Sequence, residues 1–181
     1  RGRGREDFTE ATRRGLEAGD ETLAIEAFAR ATFAIGTTSN PAEATAGLPL
    51  VEAIANRLGE RATFPRALLD HNVGVVELAR GDRASALPRL QASRRESAKL
   101  TGSAAIEMAV VLQSLMFAID DPAERDRLGQ ELVAARLASL GPGHPLTLEA
   151  ELIRAGVMAD FDEGRRAMRA PCERLAALHP D

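Results

Sequence analysis

A chain of 181 residues that is 45% hydrophobic can bury a core unaided, and its single cysteine, Cys172, rules out an internal disulfide. Aromatic residues make up only 3%, with no Trp and no Tyr, which argues against a β-rich fold and suits close-packed helices. The net charge of −4 comes from 27 acidic and 23 basic residues mixed along the chain, so no single-sign face invites nucleic acid or anionic lipid.

In chain order, Arg1-Gly2-Arg3-Gly4-Arg5 reads as a mobile arm without an initiator Met, the start of a fragment of a longer protein. Helices are predicted over 6–18, 21–35, 41–58, 64–80, 83–100, 103–119, 122–140, 146–159 and 161–178. Short breakers separate them: Gly19-Asp20, the stretch Gly36 to Pro41, Gly59-Glu60, Gly81-Asp82, Thr101-Gly102, Asp120-Asp121-Pro122, Gly141 to Pro145, and Asp160. Within the helices apolar residues recur at threes and fours, as in Leu128, Leu132, Val133, Leu137 and Leu140. Asn40 and Asp121 can cap helix starts, with Pro41 and Pro122 in the first turn, where no amide donor is needed. Pro49, Pro88 and Pro171 fall inside predicted helices, where each removes a hydrogen bond, so kinks or breaks are expected there. No apolar run approaches the roughly 20 residues that span a bilayer, and the lone cysteine gives no sign of an oxidising compartment, so the cytoplasm is the default expectation.

The endings Leu58-Gly59, Leu100-Thr101-Gly102, Leu140-Gly141 and Leu178-His179-Pro180 place leucines 42, 40 and 38 residues apart. Each closes a pair of helices, so the predicted unit is a helical hairpin that must stack on its neighbours to bury both apolar stripes. The expected hairpins are 21–59, 64–102, 103–141 and 146–178, preceded by an arm and leading helix over 1–20. That leading helix is expected to be the second helix of a repeat that begins upstream.

The segment His71-Asn72-Val73-Gly74, followed by Leu78-Ala79-Arg80-Gly81-Asp82, Ala86 and Leu90, resembles a tetratricopeptide repeat. Leu140-Gly141-Pro142-Gly143-His144-Pro145-Leu146-Thr147 and the long period resemble the kinesin-light-chain type of that repeat. The resemblance covers 21–181 and is strongest over 66–103 and 128–148. It departs at Gly164, where Ala is expected, and at Asp120-Asp121-Pro122, a turn without glycine. It implies a right-handed superhelical solenoid of about four antiparallel hairpins that binds a peptide or protein on its concave surface. Bacterial arrays of this kind accompany serine/threonine kinases and transcriptional regulators, and the Arg-rich, Ala-rich composition is similar to the carboxyl-terminal regions of such kinases.

First helices would line the concave face. The resemblance implies that Asn72 holds a ligand backbone, its amide donating and accepting at once, with His71, Gln113, Glu149 and Arg30 on the same surface. Self-association is the alternative, since an array cut from its neighbours exposes apolar hairpin faces that could make the chain a homodimer, and a small helical enzyme is a third reading that no constellation of residues supports. For this chain no catalytic residue, cofactor or metal site is expected. The three histidines, His71, His144 and His179, are far apart, and His144 reads as a turn or capping residue. Cys172 has no identifiable base, and neither a glycine-rich phosphate loop nor a kinase catalytic loop is present, so phosphoryl transfer would belong to a domain elsewhere in the parent chain. The pairs Arg94-Arg95 and Arg165-Arg166 read as solvated helix faces, with recognition of a phosphate or an acidic peptide as the alternative.

Overall fold

The computed structural model describes residues 3–37, 41–158 and 160–178, and among these every regular element is helical. The Asn40 cap and His179 lie outside the described residues. Two compact units divide the chain, Arg1–Met108 and Ala109–Asp181.

The first unit contains α1 (Arg3–Glu17), α2 (Glu21–Gly36), α3 (Pro41–Ala44), α4 (Leu48–Leu58), a 3-10 turn (Gly59–Ala62), α5 (Thr63–Ala79), α6 (Arg83–Ser97) and α7 (Gly102–Met108). Two of its turns are built alike. At the first, Gly19 adopts φ +72°, its N–H donates to Leu16 O at 3.2 Å, and the Asp20 N–H reaches Gly15 O at 2.8 Å. At the second, Gly81 adopts φ +79°, donating to Leu78 O at 2.9 Å, and the Asp82 N–H reaches Glu77 O at 2.9 Å. The left-handed conformation is one that a Cβ disfavours, and the paired bonds satisfy carbonyls left open at the helix end. In both turns the aspartate then caps the next helix: Asp20 accepts from Leu23 N–H and Asp82 from Ser85 N–H, each at 3.1 Å. The phrase Leu-x-x-Gly-Asp-x-x-x-Ala therefore occurs twice, at 16–24 and 78–86, with one geometry.

Each turn joins a closely packed helix pair. A Cβ on Gly15 would lie 3.0 Å from Ala24 N, and one on Gly74 would lie 2.9 Å from Leu90 Cγ and 3.3 Å from Ala86 O. Ala86 and Leu90 are fully buried in the α5–α6 seam. The helix expected to end an upstream repeat thus pairs with α2, and α2 packs more extensively on α1 and α5 than on α4. The expected pairing over 21–59 is replaced by an α1–α2 hairpin followed by the short α3 and α4.

Ile25 and Ala29 of α2, Val51 and Ala55 of α4, and Leu69 and Val73 of α5 form the main core. Burying a side chain of leucine size stabilises the fold by about 1.5–3 kcal/mol. Polar cross-links tie the helices together: Thr32 Oγ1 donates to Phe28 O at 2.9 Å or Ala44 O at 3.1 Å, and Ser93 Oγ donates to Ala67 O at 2.7 Å. Arg89 of α6 bonds both Glu52 of α4 and Asp70 of α5.

The second unit is a run of four antiparallel neighbours, α8 (Val110–Ala118), α9 (Pro122–Leu140), α10 (Pro145–Gly156) and α11 (Phe161–Leu178), each packed on the next. Its starts follow local chemistry. Asp121 accepts from Ala123 N–H at 3.0 Å with Pro122 in the first turn, and His144 Nδ1 accepts from Leu146 N–H at 3.2 Å with Pro145 beside it. Leu115, Leu128, Leu132 and Leu148 fill the core. The departure at Gly164 has a steric cause, because a Cβ there would sit 2.5 Å from the backbone oxygen of Ala155.

Four expectations about the helices are corrected. The helix over 41–58 is interrupted after Ala44 and restarts at Leu48, with Pro49 in the first turn of α4. The helix over 103–119 is divided at Ala109, where the two units meet along the chain. Pro88 and Pro171 break nothing: α6 and α11 run through them. The helical backbone also reaches back to Arg3, into the expected arm.

Candidate functional site

In the first unit, the pair expected to meet a ligand is turned inward. His71 and Asn72 are each 5% exposed. Asn72 Nδ2 donates to Ala29 O at 2.8 Å, which makes Oδ1 the acceptor facing His71 Nδ1 at 2.9 Å. His71 therefore carries its proton on Nδ1. Burial lowers the His71 pKa, and the bond to Asn72 opposes the shift only in part. The Nδ2 end of the Asn72 amide joins α5 to α2 and its Oδ1 end holds His71 within α5, so the surface role expected of Asn72 and His71 is replaced by a buried network that cross-links the two helices. Arg30 is also engaged, bonded to Glu26 at 2.8 Å and to Glu107 at 2.9 Å. Burial alone would lower its pKa, but the two carboxylates carry it upward.

In the second unit, Gln113 of α8 and Glu149 of α10 come together at one recess, with Leu132 and Arg136 of α9 and Leu146, Ala150 and Ile153 of α10. The enclosed volume is about 20 Å³, room for roughly one water molecule. It is too small to enclose a ligand. Glu149 stands exposed, Leu146 is 39% exposed, and Gln113 and Ile153 are partly buried. Beneath them Arg136 is only 8% exposed. Desolvation lowers its pKa, and the charge of Glu149 opposes that shift. The outermost charge of the recess is thus the Glu149 carboxylate, and Arg136 lies below it.

Arg136, Leu146 and Ile153 were not expected at this site. The stripe Leu146, Glu149, Ile153 is legible as positions i, i+3 and i+7 of one helix, but Arg136 looks in sequence like any solvated arginine. A second cleft, about 260 Å³, is lined by Val133 of α9, Met158 beyond the end of α10, and Ala167 and Pro171 of α11. Its rim charges are already paired, Arg154 with Asp126 at 3.0 Å and Arg174 with Glu151.

Among the described residues no group of three His, Cys, Asp or Glu side chains is placed to hold a metal ion, and no helix is long and apolar enough to cross a membrane. Cys172 is exposed.

The fold defines an all-helical protein whose helices pack against one another. Comparison with family models, curated proteins and solved structures returns no match.

Proposed function

We propose that this chain is a tetratricopeptide-like interaction module that binds a protein or peptide through the face shared by α8, α9 and α10. The observation that carries the reading is the meeting of partly buried Gln113 and exposed Glu149, from two helices separated by α9, at one recess beside exposed Leu146. An amide, a carboxylate and aliphatic side chains on adjoining turns are what a peptide's backbone and side chains require of a partner. The twice-used turn at Gly19-Asp20 and Gly81-Asp82 supports the repeat character. On this reading the chain is a cytoplasmic regulatory part of a larger bacterial signalling protein, such as a serine/threonine kinase, and catalysis belongs to another domain.

Selection of a peptide-display library on the immobilised chain tests the proposal. Enriched peptides should bind the wild type and lose affinity for a Gln113→Ala, Leu146→Ser double variant of unchanged helicity. Enrichment that ignores this variant overturns the assignment of the face.

Self-association is a second reading, in which the exposed side chains of Phe161 (80%) and Leu50 (63%) would supply apolar contact area. Sedimentation equilibrium over a range of concentrations distinguishes the two, because a monomer at every concentration removes this alternative.

A further inference from the structure

Resting on that reading, the α8–α10 face also points to the chemistry of its occupant. On α10, Leu146, Glu149 and Ile153 lie three and four residues apart, spacings of about 4.5 and 6 Å along the helix axis. In an extended chain, side chains on one face recur about every 6.6 Å. One extended segment laid along α10 can therefore set three alternate side chains against Leu146, Glu149 and Ile153 in turn.

The segment is extended and not helical because of Gln113. Its amide offers a donor and an acceptor beside this row, and only a chain with unpaired backbone N–H and C=O groups can use both. The charge at the middle position follows from burial. Glu149 is exposed while Arg136 is 8% exposed beneath it, so an approaching group meets the carboxylate first. The surroundings reinforce the sign, since residues 109–181 contain eight arginines and no lysine against twelve aspartates and glutamates.

We infer that the α8–α10 face binds an extended segment of a partner protein in which a basic side chain is flanked, at alternate positions, by two aliphatic ones. The aliphatic pair packs on Leu146 and Ile153, the basic group meets Glu149, and the intervening peptide group is held by Gln113.

Three pools of fluorescein-labelled nonapeptides test this, each with leucine or valine at positions four residues apart and Arg, Gln or Asp midway, titrated by fluorescence polarisation against the full chain. The Arg pool should bind the wild type at least about tenfold more tightly than the Asp pool, and Glu149→Lys, used only as protein whose helicity matches the wild type, should invert that order, with Glu149→Gln as the milder variant that should abolish the preference. Gln113→Ala should weaken the Arg pool without changing the order. Binding that is indifferent to the middle residue and to Glu149→Lys, yet lost in Leu146→Ser, overturns the inference while leaving peptide binding in place. If no pool binds while display-selected peptides do, the inference likewise fails alone. If neither binds, both readings fall. A concentration-dependent mass abolished by Glu149→Lys would make a second copy of the chain the occupant and also overturns the inference.

Discussion

Asn72 and Ala29 are joined across two helices by a hydrogen bond of 2.8 Å from the side-chain amide of α5 to a main-chain oxygen of α2. The same amide receives the Nδ1 proton of His71 at 2.9 Å. A polar side chain this deeply placed is tolerated because each of its ends is paired within the core.

Removing the amide should therefore act on stability. Asn72→Ala leaves the His71 Nδ1–H without its acceptor in a dry environment, a loss of about 1–3 kcal/mol. Urea denaturation should show the lowered midpoint, and peptide affinity on the α8–α10 face should stay at the wild-type value. A variant that unfolds normally but loses peptide binding would return Asn72 to the binding surface.

The buried histidine adds a pH dependence with a definite sign. Burial depresses the His71 pKa in the folded state, so below about pH 6.5, the ordinary value for the unfolded chain, the unfolded state takes up the proton more readily. This contribution to stability is complete above that value and is lost as the pH falls below it. Asp70 and Glu77 work the other way: burial raises both carboxyl pKa values against the pull of Arg89, so acid relieves a penalty there. Comparing His71→Gln with wild type by thermal unfolding between about pH 7.5 and pH 5 isolates the histidine. The variant should lose less stability on acidification, and identical profiles would refute the assignment.

Gly164→Ala should destabilise the protein although alanine is the better helix former by about 1 kcal/mol. The new methyl would lie 2.5 Å from the Ala155 carbonyl oxygen, a backbone atom in the last turns of α10 that cannot rotate away. Overpacking of this kind costs about 1–3 kcal/mol. The expected result in calorimetry is a lower Tm, and a higher one would mean that α11 can retreat from α10 at no cost.

Leu90 and Leu146 provide a contrast within one residue type. Leu90 is fully buried against Gly74, and Leu90→Ala should cost about 2–5 kcal/mol. Leu146 is 39% exposed, so Leu146→Ala should stay within roughly 0.5 kcal/mol of wild type in chemical denaturation and show its effect in peptide titrations. Equal losses of stability would place Leu146 in the core.

Much of the helical layout was legible in the residues. The helices at 122–140 and 161–178 have the bounds that periodicity and breakers predict, because Asp121-Pro122 and Gly141 act on neighbouring backbone atoms within a turn or two. The pairing of α1 with α2 was also written in the chain, as the recurrence of Leu-x-x-Gly-Asp-x-x-x-Ala, but the period of helix-ending leucines divides the same residues differently. Pro49 and Pro171 look alike as letters, yet one opens a helix and the other sits inside one.

The candidate site was less legible for a reason of range. Composition and periodicity settle that this chain is helical and which stripe of each helix is apolar, since those depend on interactions between residues a few positions apart. Whether a polar side chain on such a stripe meets water or another helix depends on partners distant in sequence. Asn72 is turned inward because the Ala29 oxygen, 43 residues away, stands opposite it. Gln113 and Glu149 share a surface because α9 sets α8 and α10 on the same side of Leu132 and Arg136. Such distant contacts are set by the packing of whole helices, which no local pattern in the chain encodes.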